Sequence, residues 1–534
     1  MSIEAYIRDC LRRLERSAEP SLAAAFMEAS ETFSDEDAFK CLGQSMSFAE
    51  IDKPSRDFAA YLLQDVGLQK GERIAIQLPN LLQYPIVAWA ALRAGLVIVN
   101  TNPLYTRREL IYQFNDSGAK ALVALSDNLS TIEQVIPETD VTTVVTTHVI
   151  DMLQPQPVPT STLPSLVSLP EALALGRELK VPDVNNKLDD IALLQYTGGT
   201  TGAPKGAVLS HGNLMSAALM SPLSFGADMS QREVGIAPMP LYHIYGFLVN
   251  LVAGYLNGSL SVLIPDPRDC QGLIDTMKAQ PFTIFAGVNT LFNSLLQHPD
   301  FDTIDFSAMR WTISGGAATV PEIATEWQAR TGSNIHEGYG LSETAAMASV
   351  NSVSDCKLGT IGTPMLGVEF KVVDADDNSL PTGSEGELLI RGPQVMQGYW
   401  QRDEATAEVL GDDGWFRTGD VAVIQDDGHM RIVDRLKDMV LVSGFNVYPN
   451  EIENVVYSHP GVVECAVVGV ADDKTGEAVK LFVTTPNEEL TGDALREFCR
   501  NELAAYKVPK YVEFIDELPK SAVGKILRRD LRAN

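Results

Sequence analysis

From about Gly71 onward, short apolar runs alternate with longer helical stretches, and that rhythm restricts the fold more than any other feature of the chain. Arg73–Gln77 reads as a strand, Leu81–Ala94 as a helix and Leu96–Val99 as a second strand. Arg107–Asp116 is again helical, and Ala121–Leu125 again strand-like. Strands joined through helices pair in parallel, each helix crossing over the sheet, so the predicted class is α/β. At 534 residues the chain exceeds what one hydrophobic core serves, and more than one domain is expected.

The rhythm breaks in three places. Asp151–Val184 carries prolines at 155, 157, 159, 164, 170 and 182, which predicts a surface crossing between two layered α/β subdomains. The alternation resumes at Ile191 and runs to Gly367. Gly367–Met430 then holds short alternating strands separated by Asp, Asn and Gly turns, the pattern of a small β-rich subdomain. After Arg435 the tail reads as a separate small α+β domain. Its helix Pro449–Tyr457 opens on a proline, strands follow at Val462–Val470 and Val479–Thr485, then a helix Asp493–Leu503 and a strand Tyr511–Ile515.

The net charge of −29 argues against nucleic acid as a partner, since the chain gains nothing from a polyphosphate field. Six cysteines without a CxxC pair read as free thiols of a reducing compartment. Early charges at Glu4, Arg8 and Asp9 interrupt any apolar leader. The uncharged run between Glu233 and Asp266 is broken by His243, Asn250 and Gly258, which suits a buried helix followed by a strand Leu260–Ile264. A cytoplasmic protein is expected. Peripheral contact at the inner face of a membrane and a homodimer stay open, and the function of residues 1–33 is not legible beyond helices.

The densest chemical signal follows the apolar run Ile191–Gln195. It reads Tyr196, Thr197, Gly198, Gly199, Thr200, Thr201, Gly202, Ala203, Pro204, Lys205, Gly206. Glycines let the backbone approach a ligand, backbone N–H groups and threonine hydroxyls can cradle phosphate oxygens, and Lys205 adds positive charge. The spacing is not that of GxxxxGK[ST]. A glycine-rich surface turn is the plainer reading, and the clustering of hydroxyls and a lysine behind a buried strand weakens it.

This loop resembles the phosphate-binding signature of the adenylate-forming, or acyl-activating, superfamily, and further motifs follow in that family's order. They are Pro240–Phe247 around His243, Ser314–Ala317, Glu337–Thr344, Gly414–Asp420, Ile432–Asp438, Val442–Pro449 and Leu518–Arg529. Taken alone, His243 reads as a core histidine, Glu343 as a helix-terminal carboxylate, Asp420 as a turn residue and Lys525 as a solvated charge. It is their joint order that carries the resemblance, which runs from about Phe39 to the C-terminus. Several stretches, Val99–Thr106, Ala286–Asn293, Gly392–Trp400 and Ser443–Glu451, are similar to bacterial long-chain fatty acyl-CoA synthetases in particular.

The resemblance implies an ATP-dependent ligase that joins a medium- or long-chain fatty acid to coenzyme A through an acyl-adenylate, with Mg²⁺ as metal. It implies phosphate contacts from Thr197, Gly198, Gly199, Thr200, Thr201, Gly202 and Lys205, with Thr200 also catalytic. It places Gly315, Gly316, Ala317, Glu337, Gly338, Tyr339 and Gly340 at the adenine, Ser342 at the α-phosphate and Glu343 on Mg²⁺. Asp420 would meet the ribose hydroxyls, with Ile432 and Arg435 beside the nucleotide. His243 would stand next to the acid carboxylate, Phe247, Val288 and Thr290 along the acyl chain, and Ser443, Gly444 and Phe445 along the pantetheine of coenzyme A. Lys525 would be the catalytic lysine of adenylation. The implied partition is a large domain over 1–434, a hinge at 435–437 centred on Lys437, and a mobile domain over 438–534. Rival readings are an aryl- or other carboxylic-acid CoA ligase, an acyl-adenylate ligase that loads a carrier protein, and an inactive fatty-acid or nucleotide binder.

Overall fold

The computed structural model describes residues 20–163, 165–197, 203–226, 228, 231–521 and 524–532. Two sheets dominate the large domain. The first runs Gly398–Tyr399, Lys205–Ser210, Ile191–Thr197, Val97–Asn100, Arg73–Gln77, Ala119–Leu125, Thr143–Thr147, Leu166–Ser168 in spatial order. Its strands are parallel except at the Ile191–Thr197/Lys205–Ser210 hairpin and the edge beyond it. The second runs Thr363–Pro364, Ser349–Val350, Ile335–Tyr339, Trp311–Ser314, Ile284–Gly287, Val234–Ala237, Leu260–Leu263, Asp37–Cys41, Gln44–Ser47.

The helix Gln83–Arg93 is buried on every side from Gln83 to Leu92. A helix without a polar face belongs inside a protein, and here it lies between the sheets. One continuous core joins Ile74 and Ile76 of the first sheet, through Trp89, Phe26 and Tyr255, to Ala237 and Leu263 of the second. Trp89 and Phe26 stack at 4.3 Å between ring centroids, and Phe26 and Tyr255 at 4.9 Å. The uncharged run behind His243 forms the helical segments Ile244–Gly246, Phe247–Ala253 and Gly254–Leu256, the middle one with π-type bonding, and then the strand Leu260–Leu263.

The proline-rich stretch does not cross between subdomains as predicted. Leu166–Ser168 pairs in parallel with Thr143–Thr147 and extends the first sheet, and the helix Leu169–Arg177 follows at once. Pro170 sits in the first turn of that helix, where its missing N–H costs nothing, and the Ser168 hydroxyl caps it by accepting from Glu171 N. The chain then returns to the same sheet at Ile191. The change of sheet comes later, after the helix His211–Phe225.

A four-stranded antiparallel sheet of Glu369–Val373, Glu385–Arg391, Phe416–Ile424 and Met430–Arg435 forms the β-rich unit. The small domain that follows has its own core around Val440, Ile452, Val467, Leu481 and Leu495. In it, Glu464–Asp472 and Gly476–Thr484 pair antiparallel, and Tyr511–Phe514 adds in parallel to the latter. The short hairpin Val440–Val442/Phe445–Val447 carries no alternation long enough to read from sequence. Among the described residues no helix is long and apolar enough to cross a membrane.

Candidate active site

The ends of the strands in both large sheets, the β-rich unit and the small domain surround one cavity of ≈ 3490 Å³. Most of the sequence-predicted residues that are described line it: Thr197, Lys205, His243, Val288, Thr290, Gly315, Gly316, Ala317, Glu337, Gly338, Tyr339, Gly340, Ser342, Glu343, Asp420, Ile432, Arg435, Lys437 and Lys525. Gly198, Gly199, Thr200, Thr201 and Gly202 lie outside the described residues.

His243 caps the helix that starts at Ile244, its Nδ1 accepting from Tyr245 N at 3.3 Å. Burial, reinforced by the nearby Lys525 ammonium, pushes its pKa down to about 4, so the imidazole is neutral at physiological pH. The loop leading into it is fastened by a residue that no motif marked. Asn80 donates from Nδ2 to the carbonyls of Ala237 and Met239, and its Oδ1 accepts from Leu241 N at 2.7 Å. Behind the loop, Gln195 Nε2 donates to the Tyr242 carbonyl, and Asn100 Nδ2 donates to Gln195 Oε1 at 3.0 Å. Buried amides with satisfied partners fix geometry because leaving one unpaired is costly.

On the opposite wall, Tyr339 at the end of the strand Ile335–Tyr339 donates its hydroxyl to Asp420 Oδ2 at 2.5 Å. Asp420 Oδ1 pairs with Arg435 Nε at 2.8 Å across adjacent antiparallel strands. Each carboxylate oxygen has a second lone pair, so the anion can still accept from a diol. Glu343 Oε1 accepts from the Tyr399 hydroxyl at 2.8 Å, and Lys205 Nζ lies 4.9 Å from the Tyr399 ring centroid. Ala345 and Ala346, just beyond Glu343, both hold left-handed backbone at φ 48 and 77, strain that clusters at functional sites. Glu337 is buried, and burial raises its pKa to about 8, so it is largely protonated near neutrality.

The small domain reaches this cavity through its last loop. Lys520 and Ile526 form an antiparallel bridge, and Lys525 N donates to Ser521 Oγ at 3.1 Å. Gly524, at φ 75, packs so closely that a Cβ there would run into the Thr290 hydroxyl and touch Val288. Lys525 thus faces the cavity, where water still reaches it. The closely surrounding protein, and then the Arg435 guanidinium, push its pKa down to about 8 while Asp420 opposes them. Arg528 fastens the loop from behind, donating from Nη2 to Glu453 and Asn450, both at 2.6 Å.

Two expectations fall elsewhere. Phe247 is fully buried in the central core and does not line the cavity: it lies within the helix behind His243, turned toward the packing between the sheets. Ser443, Gly444 and Phe445 form the exposed turn of the small domain's hairpin, away from the cavity, with the Phe445 ring stacked on Tyr506 at 4.7 Å.

Residues 26–400 match the AMP-binding enzyme family, and residues 451–525 match the AMP-binding enzyme C-terminal domain. The chain is 46% identical, over 96% of its own length and 94% of the relative's, to a long-chain-fatty-acid–CoA ligase of Salmonella typhimurium. Among solved structures it resembles the anthranilate CoA ligase AuaEII in complex with anthranoyl-AMP, with a TM-score of 0.88 at 25% identity, covering 97% of each chain. It also resembles ATP-bound MatB from Rhodopseudomonas palustris, with a TM-score of 0.84 at 31% identity over 96% of this chain and 98% of that one. With both of the family's segments matched in order and near-complete coverage of its relatives, the chain belongs to the adenylate-forming AMP-binding enzymes.

Proposed function

We propose that this protein is an ATP-dependent acyl-CoA synthetase for medium- or long-chain fatty acids. In the first half-reaction the fatty acid carboxylate attacks the α-phosphorus of ATP, the bond to the bridging oxygen breaks, and pyrophosphate leaves. In the second, the thiol of coenzyme A attacks the acyl carbonyl and AMP leaves. The observation that carries the reading is the meeting of Lys525, on the small domain, with His243 and Asp420 of the large one and Arg435 at the junction between them in a single cavity. Similarity to long-chain-fatty-acid–CoA ligases over nearly the whole chain supports the acid class.

Two anions must approach each other, so positioning and charge compensation do most of the work. Lys525, which lines the cavity, would bridge the acid carboxylate and the α-phosphate with its ammonium as charge builds on phosphorus. Neutral His243 adds no competing charge, and with Nδ1 accepting from Tyr245 N its proton sits on Nε2, free to donate to the carboxylate. Asp420, held by Tyr339 and Arg435, would accept from the ribose diol, and Gly315, Gly316 and Tyr339, which line the same cavity, would border the base. Glu343 fits a Mg²⁺ site: it presents a carboxylate to the cavity, steadied by Tyr399, in a turn that packs on the two strands flanking the glycine- and threonine-rich loop, and such an ion takes its other oxygens from phosphate and water. When bound there, the metal would neutralise phosphate charge.

The same reading divides the chain into a large body up to 434, a hinge over 435–437 and a small body from 438. Rotation about Lys437 would withdraw Lys525 after adenylation and bring the Ser443–Gly444–Phe445 turn to the acyl group. Val288 and Thr290 would border the acyl chain. The purified protein, incubated with ATP, Mg²⁺, coenzyme A and a panel of acids, should yield acyl-CoA from saturated fatty acids by mass spectrometry. Turnover of aromatic acids alone, or acyl-AMP that persists in the presence of coenzyme A, would overturn it.

A further inference from the structure

We propose that Tyr112 and Asp116, one turn apart on the helix Arg107–Ser117, are positioning residues that fix the two roots of the glycine- and threonine-rich loop and thereby set the affinity for ATP. The inference rests on the reading of that loop as the phosphate cradle.

The loop leaves the strand Ile191–Thr197 and re-enters the sheet at Lys205–Ser210, with Thr197 opposite Lys205 and Tyr196 opposite Gly206. At the first root, the Tyr196 hydroxyl donates to Asp116 Oδ2 at 2.7 Å. At the second, the Tyr112 hydroxyl donates to the Pro204 carbonyl at 2.7 Å. Residues four apart share a helix face, so one short patch of helix grips both ends of the loop. Asp116 also gathers the neighbouring edge strand: its carbonyl accepts from Trp400 Nε1 at 3.2 Å and its Oδ1 pairs with Arg402. Trp400 in turn donates its backbone N–H to Gly206 at 2.8 Å. Burial, and then the Asp116 carboxylate, hold the Tyr196 phenol far above its ordinary pKa, so it remains a donor.

The gripping helix is itself anchored. Glu109 accepts from Thr106 N at 2.8 Å in a capping box, and Leu110, Gln113, Phe114 and Ser117 are buried. A glycine-rich sequence has more backbone entropy to lose on binding a ligand than other sequences do. Fixing its roots in advance lowers that loss, and the gain is expressed as affinity for the phosphates rather than for the acid.

The test compares Asp116→Asn, Tyr112→Phe and the double variant with the wild-type chain. ATP affinity is read by calorimetric titration with Mg²⁺, acyl-adenylate formation by pyrophosphate release with ATP or acid varied, and acyl transfer from supplied acyl-adenylate. Each single variant should weaken ATP binding by about three- to tenfold, the scale of one lost hydrogen bond, and raise KM for ATP in step. KM for the acid and the transfer rate should stay at wild-type values. Unchanged ATP affinity in Tyr112→Phe, which loses a single hydroxyl and keeps its ring, would overturn the proposal. So would equal losses in acid binding and acyl transfer. A wild-type chain that binds ATP yet turns over no acid would refute the functional reading instead, while the titrations still decide the role of these two residues.

Discussion

The small domain carries two loops built alike and placed differently. Gly524 and Gly444 both hold left-handed backbone, at φ 75 and 85, next to residues that the family resemblance marks. At Gly524 the chain is pressed against Thr290 and Val288, with Lys525 facing the cavity; at Gly444 nothing lies within 4 Å of where a Cβ would stand. One loop is engaged and the other faces water. If both loops serve one cavity, as the proposed function has it, a rigid body cannot present them at once, and the two tasks would be separated in time. That separation is the physical content of a hinge.

The largest test of the contrast is Lys525→Ala. It should cut acyl-adenylate formation by about 10²–10³-fold, the scale of losing a charge aimed at a transition state, while acyl transfer from supplied adenylate persists. Pyrophosphate release and thioester formation, measured separately, decide it, and equal loss in both would break the comparison.

A paired glycine experiment sharpens it. Gly524→Ala must displace Thr290 as well as strain the backbone by about 1–2 kcal/mol. It should slow adenylation about tenfold and spare transfer. Gly444→Ala meets no neighbour in the present arrangement, so adenylation should hold while transfer slows. The same single-turnover assays read both variants, and a matching pattern in the two would mean that the loops do not alternate.

The smallest effect is on pH dependence. Lys525 is useful as an ammonium, the form present below its pKa of about 8. Adenylation should therefore lose about half its rate as pH climbs from well below to that value, and go on falling above it. Transfer should lack this limb, and Lys525→Arg, which keeps its charge, should flatten it. A profile identical in both half-reactions would detach Lys525 from the first.

Much of the fold was legible because local periodicity and burial agreed. Arg73–Gln77, Glu369–Val373 and Pro449–Tyr457 fall where their patterns place them. The proline-rich stretch misled because proline at a helix start and proline in a loop look alike until a cap such as Ser168 is weighed. Phe247 misled for another reason: a helix apolar all round does not tell which side faces the cavity and which the core. Asn80 and Asp116 left no trace in any motif, since Asn80 acts on residues more than a hundred and fifty positions away and Asp116 on one eighty positions away.

By itself the sequence determined the alternation of strand and helix, the separateness of the tail, and the residue types able to handle phosphate, ribose and metal, since these depend on local order and side-chain chemistry. Only the tertiary structure decided which of those groups meet. It brought Lys525 into one cavity with His243 and Arg435, left Phe445 exposed, and tied the roots of the glycine- and threonine-rich loop to a helix, because such proximity arises from how distant elements pack and not from any property of the residues that they carry.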